Sequence, residues 1–147
     1  MKKLIGGIAL TVAFSAGFVA HGFLPIETVA QAQTNRVFEL RTYTAADGKL
    51  QGLSDRFRDH TMALFKKHGM TNVLYTHPTD ADKGAGHTLI YILAHDSVAA
   101  AKKSFDEFRA DPDWIKARDA SEANGKLLQI SPPASIFLTP TDFSKLK

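Results

Sequence analysis

Three kinds of side chain in this sequence could build a small-molecule site. Arginine offers a fork for carboxylates, tyrosine a hydroxyl on an aromatic ring, and histidine a base near neutral pH. They concentrate in three short apolar stretches. In VFELRTYT, residues 37–44, strand alternation puts Phe38, Leu40 and Thr42 on one face and Val37, Glu39, Arg41 and Tyr43 on the other. By the same alternation Val73, Tyr75 and His77 share a face of a second stretch, and His87, Leu89, Tyr91 and Leu93 share a face of a third. With Phe38 and Leu40 against the helices, Arg41 and Tyr43 look away from them into a cavity that Tyr75, His77 and Tyr91 complete. Such a cavity suits a small anionic or aromatic ligand, with Arg41 as the bidentate partner of a carboxylate. The competing arrangement is structural: Arg41 pairs with Glu39 or with a carboxylate of a second subunit, and the tyrosines fill a core with their hydroxyls satisfied.

His60 stands at helical spacing with Leu50, Leu53, Phe57 and Leu64, so it falls on an apolar stripe. There it is either a general base reaching the cavity or a packed imidazole bonded to a backbone carbonyl. His68 and His95 fall at element ends, where solvation or helix capping is expected. No histidine pair has the i, i+4 spacing of a helical metal site; His77 and His87, joined by a hairpin, are the one pairing worth testing, and no metal is expected. The sequence has no GxSxG elbow, phosphate-cradling glycine loop, HExxH or dinucleotide fingerprint.

The elements that must hold these residues follow from periodicity. Residues 49–68 read as a helix stopped by Gly69, where glycine ends a helix at least cost. The segment 78–86, rich in Pro, Asp and Gly, reads as the loop of a hairpin between strands 71–77 and 87–95. HTLIYILAH is apolar on both faces in its middle, which predicts a central strand. A second helix begins at an Asp96 or Ser97 cap and buries Val98, Ala101, Phe105 and Phe108. Asp111-Pro112 starts a third, anchored by Trp114 and Ile115. Residues 127–130 and 135–139 are extended, and at least one of them supplies the last strand. The order predicts an α+β domain, a ferredoxin-like βαββαβ fold with a four-stranded antiparallel sheet. Helices cover one face of such a sheet, so the other is expected to meet a second copy in a symmetric homodimer.

Residues 1–32 read as a signal peptide and not as part of the fold. Lys2 and Lys3 precede an uncharged run, and Ala30-Gln31-Ala32 gives the small-x-small pattern of a cleavage site. Cleavage after Ala32 predicts an exported protein, periplasmic or secreted, with no stable membrane anchor. The mature segment, residues 33–147, keeps 115 of the 147 residues, enough for one compact domain. Loss of Lys2, Lys3 and Glu27 reduces 18 basic and 15 acidic residues to 16 and 14, a charge of +2. No clustered basic footprint for a nucleic acid is present. Zero cysteines exclude a disulfide scaffold, a thiolate zinc site and a cysteine nucleophile.

The blocks FELRTYT, KKHGM, LIYILAHDS, RADPDWIKAR and SIFLTPTDFS, in that order and spacing from Phe38 to Ser144, resemble a NIPSNAP domain. The resemblance implies a dimeric α+β barrel, in a superfamily with cofactor-free antibiotic-biosynthesis monooxygenases and stress-response barrel proteins. It implies no agreed chemistry and no cofactor. Three functions are therefore carried forward: an exported dimer binding a small ligand or partner in its cavity, a cofactor-free monooxygenase-like enzyme acting on a small aromatic substrate, and a structural or stress-related dimer without a ligand.

Overall fold

A computed structural model describes residues 36–147; the expected signal peptide and its expected cleavage site lie outside the described residues. The chain runs β1 (Val37–Thr44), α1 (Leu50–Arg56), a π turn (Phe57–Thr61), α2 (Met62–Lys67), β2 (Thr71–Thr76), β3 (Thr88–His95), α3 (Val98–Ala110), α4 (Pro112–Ser121) and β4 (Ala134–Leu138). Strand order is β2-β3-β1-β4, and every neighbouring pair is antiparallel. This is the ferredoxin-like α+β sandwich predicted above, with β3 inside the sheet. The segment before β4 also pairs: Leu128 bridges Ala45, and Gln129 N–H donates to the Thr44 carbonyl at 2.9 Å.

Local signals set the helix ends. Gly69 takes φ +77° after α2, a conformation that costs a side chain strain. Ser97 Oγ accepts from Ala100 N–H at 3.0 Å, so of the two candidate caps it is Ser97 that starts α3. Asp111 caps α4 by accepting from Asp113 N–H at 2.8 Å, with Pro112 in the first turn. Replacing Ser97 by alanine is expected to cost about 1 kcal/mol, read as a lower urea midpoint at unchanged slope; an unmoved midpoint would show that the cap contributes nothing.

The two faces of β1 are assigned opposite to expectation. Tyr43, Tyr75, Leu89, Tyr91 and Leu93 pack with Leu53, Phe57, Phe65, Phe105 and Phe108 from the helices, and the Arg41 guanidinium lies 4.5 Å from the Phe105 ring centre. The mixed face is thus the helix-covered one. The purely apolar face carries Phe38, Leu40 and Thr42, opposite Ala94, Ile92 and Ile90 of β3 and Leu138, Ile136 and Ala134 of β4. None of these joins the helix-packed cluster; Phe38 and Ala94 are nonetheless buried, while Leu74, Ile136 and Leu138 are 49%, 57% and 41% exposed. The reason is energetic: Glu39 and Arg41 neutralise each other, so the helices can cover them, and the rings provide the apolar area.

The same helix corrects His60. The π turn makes Met62 N–H donate to the Phe57 carbonyl, five residues back, so the next inward position falls on Thr61. Thr61 is 1% exposed, and its Oγ1 donates to the Arg56 carbonyl at 3.2 Å. His60 points to solvent. Val98, expected on the buried stripe of α3, is half exposed because the stripe starts at Ala101.

Candidate functional site

Between the sheet and its helices lies a cleft of about 480 Å³. Its apolar wall is Tyr43, Phe57, Phe65, Phe105, Phe108 and Trp114, and its cations are Arg41, Arg56, Arg109, Arg118 and Lys126. Position follows from the elements: β1 supplies Arg41 and Tyr43, the junction of α1 and the π turn supplies Arg56 and Phe57, α2 supplies Phe65, and α3 and α4 supply the remaining rings. The π turn sits against this wall, with Thr61 lining it.

The two deep arginines are held differently from the rim cations. Arg41 Nη1 donates to Glu39 Oε1 at 2.6 Å; Ser135 Oγ donates to the same oxygen. Glu39 Oε2 accepts from His95 Nε2 at 3.1 Å, and since a carboxylate only accepts, that nitrogen carries the proton. His95 is therefore a buried partner of Glu39, not the solvated strand end expected. Arg56, whose side chain is 3% exposed, donates through Nη1 to Glu122 Oε1 at 3.1 Å and to Ser121 Oγ at 3.3 Å, and lies 5.1 Å from the Trp114 ring centre. Among the described residues, the Nε of both arginines is buried without a partner. Rim pairs such as Arg109 with Asp106 and Arg118 with Asp119 are exposed on both sides and hold little.

Electrostatics keep Glu39 and Arg41 charged. Burial alone would raise the Glu39 carboxyl, but hydrogen bonds from His95 and Ser135 and the Arg41 charge hold it below its ordinary 4.5. The same burial works against the Arg41 charge, yet the neighbouring Tyr91, Tyr43 and Glu39 raise its pKa instead. A carboxyl depressed by folding stabilises the fold fully above its unfolded pKa, and that contribution is lost as pH falls through the folded value. The urea midpoint is accordingly expected to fall more steeply below pH 4.5 in the wild type than in Glu39→Gln. Parallel pH profiles would remove Glu39 from the account.

The six sequence-predicted site residues do not share one cavity. Arg41 and Tyr43 line the cleft, whereas Tyr75 and His77 line a separate pocket of about 220 Å³. Tyr91 is fully buried between Tyr43 at 5.2 Å and Tyr75 at 5.3 Å, with its hydroxyl unpartnered. His60 reaches neither pocket. His77 Nδ1 donates to the Thr88 carbonyl at 2.9 Å, while His87 is exposed beyond the end of β3. Sequence reasoning missed Arg56 and Thr61. Arg56 follows Leu53 by three residues, so its place on the inward stripe was readable, but a cation there looks like a surface residue until its partners Glu122 and Trp114 are known.

The NIPSNAP family profile matches residues 38–145. No curated protein matches the chain. Among solved structures, a NIPSNAP family protein of unknown function from Agrobacterium tumefaciens superposes with a TM-score of 0.64 at 19% identity, covering 78% of this chain and 96% of that one. An uncharacterised NIPSNAP-like domain protein from Burkholderia xenovorans gives 0.63 at 14% identity, covering 76% and 90%. A monooxygenase from Streptomyces coelicolor, in complex with the ligand nanaomycin D, gives 0.50 at 18% identity over 74% and 89%. These likenesses describe the fold. With the profile spanning nearly all the described residues and the sandwich topology in agreement, the chain belongs to the NIPSNAP family.

Proposed function

We propose that this NIPSNAP protein binds a small ligand in the cleft between its sheet and helices and works as a homodimer joined through the bare sheet face. The observation that carries the ligand reading is the pair of deep arginines. Each has its Nη1 engaged and, among the described residues, its Nε buried without a partner. An unsatisfied buried donor costs about 1–3 kcal/mol, which a ligand acceptor would recover. The dimer reading rests on the apolar row of Leu40, Ile90, Ile92, Leu74, Ile136 and Leu138, which a monomer would leave in water. The basic pair Lys2-Lys3, the uncharged run after it and Ala30-Gln31-Ala32 support export, with action in the periplasm or outside the cell.

Binding is favoured over turnover by the chemistry of the wall. Among the described residues no histidine lines the cleft, and the single carboxylate there, Glu122, is held by Arg56 and Lys126. Burial would raise that carboxyl, but hydrogen bonds from Lys126 and Arg56 keep it below the ordinary value and make it a poor base. Burial also raises the Tyr75 and Tyr91 phenols, so both stay protonated at neutral pH.

Trp114 is the sole tryptophan and forms part of the wall, which gives a direct readout. Adding the small-molecule fraction of the producing cells should change Trp114 emission saturably. An emission spectrum that does not move at any concentration would count against a ligand in this cleft.

A further inference from the structure

We infer that the ligand of this cleft is a planar aromatic molecule carrying one carboxylate, gripped by the side-on edge of the Arg56 guanidinium with its ring on the Phe57, Phe65 and Phe108 wall. This rests on the cleft being a ligand site.

The geometry of the guanidinium comes first. Arginine presents two forks to a carboxylate: the end-on edge of Nη1 and Nη2, and the side-on edge of Nε and Nη2. Every side-chain hydrogen bond of Arg56 uses Nη1, to Glu122 and Ser121. That leaves the side-on edge, of which Nε is a buried donor with no partner. A donor pair fixed in one plane selects a planar acceptor pair, which a carboxylate supplies. A neutral ligand would satisfy the donors less strongly, since hydrogen bonds between two charged groups are about twice as strong as neutral ones.

Charge sets the ligand at one negative unit. Arg56 and Lys126 share a single carboxylate, Glu122, whose two oxygens are both occupied at 3.1 and 2.9 Å. This end of the cleft therefore carries one positive charge in excess. Arg41 at the sheet side is already neutralised by Glu39. The rim arginines Arg109 and Arg118 each pair with an aspartate in solvent, Asp106, which Lys102 shares, and Asp119. A dianion would leave one charge unpaired in a largely apolar setting, which is costly.

The wall sets the ring. Phe57 and Phe65 meet edge-to-face at 6.1 Å, Phe65 and Phe108 at 4.8 Å, and Trp114 lies 4.5 Å from Phe108. Aromatic surface of this extent favours a flat hydrocarbon body over a sugar or an aliphatic chain. The Arg56 stack on Trp114 places the anion-binding edge beside that surface.

The test is calorimetric titration of the purified protein with 2-naphthoate and with 2-naphthamide, which share a ring system and differ in charge. The acid is expected to bind at least tenfold more tightly than the amide. That preference should largely vanish in Arg56→Gln and shrink in Lys126→Gln, an exposed position where folding is not at stake. Arg56→Lys, which keeps the charge and loses the fork, should also bind the acid more weakly than wild type. Equal affinity for acid and amide, or a preference that survives in both glutamine variants, overturns the carboxylate while leaving the cleft as a binding site. Failure of both compounds to bind, with Trp114 emission unmoved by either, overturns the cleft itself.

Discussion

Leu40→Asp is expected to turn the proposed dimer into a folded monomer. Leu40 lies mid-strand on the bare face, between Ile92 of β3 and Ile136 of β4. Its replacement loses about 1.5–3 kcal/mol of apolar burial per copy. Two-fold symmetry counts the change twice, so the dimer dissociation constant should rise by roughly 10²–10⁴. Burial of two like charges adds to this. Because Leu40 is outside the helix-packed core, far-ultraviolet circular dichroism should keep its native shape. Sedimentation velocity that still shows a dimer at micromolar concentration would mean that this face is not the interface.

The largest effect on folding is expected at Phe57. Its ring meets Tyr43 at 5.5 Å, Phe65 at 6.1 Å, Tyr75 at 5.8 Å and Tyr91 at 5.1 Å, so it joins the cleft wall to the centre of the sheet. Truncation to alanine should cost about 3–5 kcal/mol by opening a cavity among rings that cannot all shift. The neighbouring Tyr91→Phe gives the opposite sign. Its hydroxyl is buried with no hydrogen-bond partner, so removing it should leave stability unchanged or raise it by about 1 kcal/mol. Urea unfolding of the two variants side by side decides the matter. A Tyr91→Phe protein that loses more than about 1 kcal/mol would show that the hydroxyl has a partner after all.

The fold was legible because its signals are local and redundant. Period-two patterning in VFELRTYT and in LIYILAH, the Gly69 stop, and the caps at Ser97 and Asp111 each fix one element, and their order leaves few topologies. Which face of β1 the helices cover was not legible. Alternation separates Phe38 and Leu40 from Glu39 and Arg41, but it does not say which set is buried where. That depends on partners distant in sequence: Ser135 lies 96 residues from Glu39 and His95 lies 56, and together with Arg41 they make the charge tolerable under α3. The same limit hid Arg56, whose partner Glu122 lies 66 residues away. His60 was misplaced for a different reason. A π turn changes the helical period within five residues, and no residue in FRDHT announces it. Of the arginine and tyrosines first singled out, Arg41 and Tyr43 reach the cleft because both belong to the strand whose pattern was clearest.

In the proposed assembly the apolar sheet face meets a second copy while the cleft behind the other face holds a ligand. A native mass spectrum of the purified protein in the presence of 2-naphthoate tests both halves at once. The expected spectrum shows twice the mass of one chain, with a noncovalent adduct that the Arg56→Gln protein fails to retain. Single chains, or dimers that stay bare with the acid present, would contradict it.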